Sequence, residues 1–324
     1  MANLHPMDEL KNKLQMILKV VPPGSNIAYV DYPVYNNGGD VLIMKGTEAF
    51  FKANGIRVRA RYSAMDFPDK LNVPKDWIIV CHGGGNFGDL YLNHQNLREK
   101  VVRDFPSHRI VVMPQTIHFQ SESKANEAAA LFNSHPDMHI FVRDTRSYAY
   151  ASEKFNRCDI QMCPDMAHQL WPLKTTSAPQ QEVLYFLRND IETVKDQQQF
   201  DREAGSEHRR DWDTLFTPFE IRGIEYFQKF YRLDKKIGGP LPTRVFWYKY
   251  TDHLMSKAVD LFSSYREVRT SRLHGHILAC LLDIPHIVID NSYGKNSLYF
   301  QTWSTGNTKA KLYSEESAPV EQLS

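Results

Sequence analysis

Trp77-Ile78-Ile79-Val80-Cys81-His82-Gly83-Gly84-Gly85-Asn86-Phe87-Gly88-Asp89 is the stretch on which the reading of the fold turns. Its first five residues are apolar without alternation, the pattern of a strand buried on both faces. Four glycines follow within six residues. Glycine loses more backbone freedom on folding than any other residue, so a particular geometry must require them. A buried strand running into a glycine-rich turn, with the helix-like segment Leu90–Asp104 after it, points to a parallel α/β layer.

Working outward, the same alternation recurs. Asn26–Asp31, Arg109–Met113 and His139–Val142 are further short, branched-apolar runs, and Asp40–Asn54 and roughly 123–133 read as the helices between them. Gly55 closes the first of these as a helix C-terminus should. A proline-punctuated stretch, Trp171–Gln181, reads as a linker; beyond it Glu182–Leu187, Arg266–Thr270 and His286–Asp290 read as strands, with Leu273–Leu282 a helix. Asp190–Asp213 is polar and reads as surface helix or loop, and Asn307–Ser324 as a polar tail. The expectation is an α/β protein with two Rossmann-like domains, 1–172 and 180–324, whose strand C-termini are aimed into a shared cleft.

Composition removes several function classes. Lys+Arg (39) and Asp+Glu (38) nearly cancel, so the basic excess of a non-specific nucleic-acid binder is missing and an anionic ligand must be held by a few local cations. Cys81, Cys158, Cys163 and Cys280 include no C-x-x-C pair, which favours buried free thiols over a disulfide framework or a zinc site. Lys11, Lys13 and Lys19 interrupt the N-terminal stretch, which therefore reads as neither signal peptide nor membrane span. Met7, Leu10, Leu14 and Ile17 recur at helical spacing; such an amphipathic helix either packs on the body or docks on a membrane surface.

The residues that suggest chemistry sit where strands end. In Tyr35-Asn36-Asn37-Gly38-Gly39-Asp40 two glycines open a helix whose free amides attract an anion; a plain turn, with Asp40 complementing the helix dipole, is the alternative. The run from Gly83 to Asp89 resembles a dinucleotide fingerprint, but the next strand ends in Pro114-Gln115-Thr116 rather than an acid, so a phosphate or sugar loop fits better than a nicotinamide site. In Thr270-Ser271-Arg272-Leu273-His274-Gly275-His276, Ser271 is placed to cap the following helix, with Arg272 and His274 in its first turn. Cations there oppose the macrodipole; a bound anion, or a carboxylate partner for Arg272, would resolve the conflict, and His276 has packing or capping as its plain account. Arg143-Asp144, His168 and Arg188 are charged or titratable groups at strand ends or next to the linker.

Taken in order, Asn36–Asp40, Gly83–Asp89, Met113–Thr116, Arg143-Asp144, Pro164–Ala167, Arg188 and Ser271–Gly275 resemble the polysaccharide pyruvyltransferase family over roughly 26–303. Two departures stand out: Asn-Asn-Gly-Gly-Asp where Gly-Asn-x-Gly-Asp is commoner, and Thr116 where Ser is usual. The resemblance implies a GT-B-like fold and a pyruvyl transfer from phosphoenolpyruvate to a hexose of a surface polysaccharide or its lipid-linked precursor. It also implies no cofactor or metal, and a bacterial cytoplasmic setting near the inner membrane face. The residues expected to act are His274, Arg272 and Asp40, with Asp89 a second candidate base. Those expected to bind substrate are Arg188, Ser271, Gly275, Asn37, Gly38, Gly39, Gly84, Gly85, Asn86, Asp89, Gln115, Arg143 and His168. Phosphoenolpyruvate needs several cations or amide nests, which Arg188, Arg272 and the helix terminus supply, and a histidine titrates where an acid is useful. Two other functions fit the same architecture: a nucleotide-sugar glycosyltransferase, and a non-catalytic carbohydrate-binding member of a polysaccharide assembly complex.

Overall fold

A computed structural model describes residues 4–190, 197–238, 241–291 and 294–314. By contacts the chain divides into two compact units, Met1–Trp171 with Phe216–Lys257, and Pro172–Leu215 with Ala258–Ser324. The sequence reading left 216–257 inside the second domain; these residues group with the first.

The first unit holds strands β1 (Asn26–Val30), β2 (Arg57–Tyr62), β3 (Ile78–Cys81), β4 (Gly84–Phe87), β5 (Ile110–Ile117), β6 (Met138–Val142) and β7 (Asp159–Met162). They pair in the order β2-β1-β3-β5-β6-β7, with β4 beside the end of β5, and every pairing is parallel. Helices α1 (Pro6–Lys13), α2 (Gly38–Ala53), α3 (Leu92–Asp104), α4 (Glu122–Asn133) and α5 (Thr145–Lys154) belong to this unit. The four strands read from sequence are all present, wholly buried or nearly so, as branched-apolar runs covered on both faces must be. One reading is corrected. The glycine run is not a loop: Gly84–Phe87 is extended and pairs with Gln115 and Ile117. Gly88, at φ +137°, closes it where a Cβ would lie 1.7 Å from the His118 carbonyl oxygen, so only glycine fits. Met7, Leu10, Leu14 and Ile17 are buried, so the N-terminal stripe packs on the body and offers no apolar face to a membrane. The four cysteines are free and largely buried, and burial pushes the Cys81, Cys158 and Cys280 thiols up to about 12.

The second unit holds β8 (Gln181–Phe186), β9 (Arg209–Arg210), β10 (Tyr265–Thr270), β11 (His286–Val288) and β12 (Ala310–Leu312), parallel throughout in the order β12-β11-β10-β8-β9. Short helices α6 (Gln197–Glu203), α7 (Gly205–His208) and α8 (Trp212–Leu215) fill the polar stretch after β8. That stretch is thus not purely helix or loop: β9 edges the sheet. The tail, too, begins with a strand, β12; residues 315–324 lie outside the described residues, as do 191–196.

Helices α9 (Pro218–Lys236) and α10 (Thr243–Ser263) explain the regrouping of 216–257. Thr217 and Glu220 form a reciprocal capping box that starts α9, satisfying amides a helix cannot satisfy itself. The Tyr32 hydroxyl donates to that of Tyr231 at 2.9 Å, and the fully buried Trp247 donates its indole N–H to the Pro33 carbonyl at 3.0 Å. Buried aromatics with satisfied polar tips fix both helices to the first unit. Two further helices, α11 (Leu273–Leu281) and α12 (Lys295–Trp303), complete the second unit.

Candidate functional site

The structure gathers the expected residues into two clusters, one in each unit. In the first, Asn37 caps α2: its side-chain oxygen accepts from the Gly39 and Asp40 amides at 3.0 and 3.4 Å. Its amide then donates to Asp40 Oδ2 at 2.8 Å, and the Tyr35 hydroxyl donates to the same oxygen at 2.9 Å. Gly38 and Gly39 are buried in the first turn. The other carboxylate oxygen, Oδ1, faces β4: a Cβ on Gly84 would stand 3.3 Å from it. Asp40 and Gly84, 44 positions apart by their numbers, therefore belong to one place. Asp40 is partly exposed, and Gly85 is the β4 residue that reaches solvent.

Asn86 and Gln115 serve the interior instead. Arg98, 1% exposed, donates to Asn86 Oδ1 and Gln95 Oε1 at 2.8 Å each, and its guanidinium lies 4.5 Å from the Phe87 ring centroid. Gln115 donates to the His82 carbonyl at 2.8 Å and to Asn86 at 3.1 Å. A buried cation needs such partners. Asp31, held at φ +71°, meets His94 at 2.7 Å and Arg98 at 3.8 Å. Burial alone would lower the His94 pKa, but the Asp31 charge and hydrogen bond raise it above the ordinary value. His82 Nδ1 lies 2.6 Å from the Tyr29 hydroxyl, and burial pushes its pKa down to about 4.

Three expected residues hold other positions in this unit. Asp89 accepts from the Gln120 and Ser121 amides at 2.7 and 2.8 Å, pinning the turn before α4; both carboxylate oxygens are committed to the fold. Arg143 and Asp165 form a buried ion pair, and Arg143 also donates to Thr116 at 3.0 Å. His168 is fully buried on the 3₁₀ turn Met166–Leu170.

In the second cluster, β8 and β10 end side by side, with Phe186 paired to Thr270. The residues that follow interlock. Ser271 accepts from the Arg188 amide at 3.0 Å and donates to Gln197 at 2.6 Å, while Gln197 donates to the Arg188 carbonyl at 3.0 Å. Ser271 is therefore not the cap of α11, contrary to expectation. Arg272 occupies the cap position without a capping side chain, and α11 begins at Leu273. Gly275 lets the helix lie against the strand end, since a Cβ would stand 2.4 Å from Thr270 Oγ1.

Two carboxylates meet the arginines. Asp211, 0% exposed, takes Arg272 in a bidentate pair at 2.7 and 2.6 Å, and also accepts from the Asn189 and Trp212 amides. Asp190, 40% exposed, accepts from Arg188 at 2.8 and 3.1 Å and from Arg272 at 2.7 Å. Burial alone would lower the Arg272 pKa, but the Asp211 hydrogen bond and charge, with Asp190, raise it. Carboxylates thus settle the conflict between Arg272 and the helix dipole. His274 stands partly exposed in the first turn of α11. Sequence reasoning did not anticipate Asp211 and Gln197 here, nor that Asp190 pairs with Arg272.

The same helix and strand β11 together form a cluster the sequence did not suggest. His276 Nδ1 lies 2.7 Å from His286 Nε2, and Cys280 Sγ is 3.7 and 3.6 Å from them. Their ligand atoms fall within 4.8 Å of one another, close enough to hold a metal ion. A hydrogen-bond chain already joins them to protein: His286 Nδ1 to the Ile284 carbonyl at 2.7 Å and His276 Nε2 to Ser304 at 2.8 Å. Burial pushes the His286 pKa down to about 4. His276 is thus a core histidine.

The polysaccharide pyruvyl transferase family model matches residues 37–293. The chain is 46% identical over 312 residues to "Putative pyruvyl transferase EpsO" of Bacillus subtilis, covering 96% of each. It is 30% identical to "Pyruvyl transferase 1" of Schizosaccharomyces pombe over 87% of this chain and 70% of that one. Among solved structures it is similar to an uncharacterised Klebsiella pneumoniae protein, with a TM-score of 0.63 at 18% identity over 94% and 98% of the two chains. That likeness supports the fold alone.

Proposed function

This chain belongs to the polysaccharide pyruvyl transferase family and is a transferase, and we propose that its donor is phosphoenolpyruvate and its acceptor a pair of hydroxyls on a hexose of a polysaccharide or its lipid-linked precursor. The observation that carries the proposal is the convergence of two guanidiniums, Arg188 and Arg272, on the single partly exposed carboxylate of Asp190 at the start of α11. Two arginines that meet on one carboxylate, one of them at the cap position of α11, make an anion site. Asp190 stands where the donor's carboxylate or phosphate would sit, and the donor's greater charge favours the exchange. Asp211, buried and amide-bound, stays to hold Arg272 in place.

In the reaction the methylene carbon of phosphoenolpyruvate gains a proton and its neighbour becomes the electrophile. One sugar hydroxyl adds there. The second then displaces phosphate by breaking the carbon–oxygen bond. Of the two hydroxyl protons, one balances the new methyl group and the other leaves on phosphate. His274, partly exposed in the first turn of α11, is the residue for protonating the methylene or the departing phosphate. Asp40, held by Tyr35 and Asn37 with Oδ1 facing Gly84, is the residue for accepting a hydroxyl proton. The proposal gives each cluster its own role. It assigns no step to a metal, so turnover should persist in EDTA.

The test follows carbon-labelled phosphoenolpyruvate incubated with the protein and a hexose glycan. Label should enter the glycan as an acid-labile ketal with one phosphate released per ketal. Phosphate release with no label in the glycan, or sugar transfer from a nucleotide sugar in its place, would overturn the reading.

A further inference from the structure

Helix α9 presents an unusual outer face. Phe219, Tyr226, Phe230, Leu233 and Ile237 are all exposed large apolar side chains, Phe219 to 83%. Their spacing of 7, 4, 3 and 4 places them within about 60° of arc at 100° per residue, in one row along the helix. Glu220, Ile224, Tyr231 and Asp234 occupy the buried side. Val245 and Phe246, in the first turn of α10, add two more exposed apolar side chains at 57% and 56%. Soluble chains rarely leave so many large apolar groups contiguous without a partner surface.

A second row runs beside the first. Arg222, Lys229 and Lys236 repeat every seven residues on α9 and are all exposed, which sets them along one flank of the apolar row. Arg232 and Lys249 are exposed as well, and Glu225 is the exposed acid among the described residues of 219–249. Lys235 turns to Asp69 at 3.1 Å.

We propose that this face docks on the surface of an anionic lipid bilayer. A row of aromatic and aliphatic side chains flanked by Lys and Arg is the composition of a helix that lies in the interface, with its apolar face among the acyl chains and its cations at the headgroups. Anionic headgroups attract such a basic flank. Charge separates this occupant from a second copy of the chain. A two-fold contact would face the patch with itself, bringing Arg222, Lys229 and Lys236 against like charges. The protein would lie on the membrane and not span it, since among the described residues no helix is long and apolar enough to cross one. The inference stands apart from the proposed reaction, because vesicle binding is read without substrate.

The experiment is co-sedimentation of the full chain with vesicles of phosphatidylglycerol in phosphatidylcholine, beside vesicles of phosphatidylcholine alone. The wild type should pellet with the former and far less with the latter. Phe219→Ser with Phe230→Ser should weaken binding about a hundredfold, at roughly tenfold per apolar side chain. Arg222→Gln, Lys229→Gln and Lys236→Gln together should cost a similar factor on anionic vesicles, at about fivefold per cation. Both sets replace exposed side chains, so melting temperatures should hold and separate lost docking from lost fold. A wild type left in the supernatant by both vesicle types overturns the proposal. So does equal binding to both that the cation variant leaves unchanged. A dimer in solution that Phe219→Ser with Phe230→Ser turns into a monomer, with no vesicle binding, would assign the face to self-association instead.

Discussion

The cluster around Asp40 and the cluster around Arg272 both form where parallel strands end, yet they manage charge in opposite ways. In the first, neutral donors from Tyr35 and Asn37 hold one oxygen of a carboxylate while the other faces glycine backbone. In the second, two arginines are shared between a buried carboxylate and an exposed one. Neutral donors keep Asp40 oriented without a cation competing for it, which suits a proton acceptor. Asp211 holds Arg272 in a bidentate pair, and Asp190, 40% exposed, is the partner that solvent, or a stronger anion, can reach. The contrast matches the proposed reaction, which asks for a proton acceptor at the first cluster and an exchangeable anion at the second.

The largest effect should come from His274, whose loss would separate chemistry from charge. His274→Gln is expected to lower single-turnover rate by about 10²–10⁴-fold, the usual range for a lost acid–base group, with melting temperature unchanged. Near-normal turnover in this variant would remove His274 from the mechanism and leave the second cluster a binding site only.

Next in size is the stability of the second cluster. Arg272→Ala leaves Asp211 buried without its cation, which costs about 3–5 kcal/mol, a large share of what holds a domain folded. Asp40→Asn, by contrast, disturbs hydrogen bonds to a partly exposed group, worth about 1 kcal/mol, while turnover falls. Urea unfolding of the two variants side by side reads this asymmetry. If Arg272→Ala unfolds like the wild type and loses donor affinity alone, Asp211 is not the structural anchor described here.

These pairings mark the limit of what the sequence reveals. β1, β3, β5 and β6 were legible because branched-apolar runs buried on both faces have no other home. β2 was missed: Arg57-Val58-Arg59-Ala60-Arg61-Tyr62 alternates charge with apolar residues on an edge. β4 was missed because glycines carry no strand signal. Helices α9 and α10 went unread although Thr217-Pro218-Phe219-Glu220 spells a capping box. Strand ends and the Arg272–His274 motif drew attention to Arg272, but its partners Asp211 and Asp190 reach it from 61 and 82 residues away. No local pattern encodes such partners. For the same reason the partners of Asp89 and Arg143, among them Ser121, Thr116 and Asp165, could not be read locally.

A smaller difference between the units should appear with pH. Burial holds His82 in the first and His286 in the second near pKa 4, against an ordinary 6.5. Each favours the fold fully above pH 6.5, where the unfolded imidazole is also neutral. That contribution drains as pH falls toward 4, by up to about 3 kcal/mol per residue. His94 works the other way: its raised pKa supplies stability below pH 6.5 that is lost as pH rises through the folded value. Denaturant midpoints should therefore fall between pH 6.5 and 4, and His286→Gln should flatten that slope. A wild-type profile already flat across this range would contradict the burial of both rings.

The most direct test of the account is calorimetric titration of phosphoenolpyruvate and of UDP-sugars into the wild type, Arg188→Ala and Asp190→Asn. Phosphoenolpyruvate should bind the wild type, about tenfold to a hundredfold more weakly once Arg188 is removed, and about tenfold more tightly in Asp190→Asn, where the competing carboxylate is gone. UDP-sugars should give little heat. Binding of a UDP-sugar with none of phosphoenolpyruvate, or an Asp190→Asn variant that loses the donor, would contradict the assignment of these arginines to a pyruvyl donor.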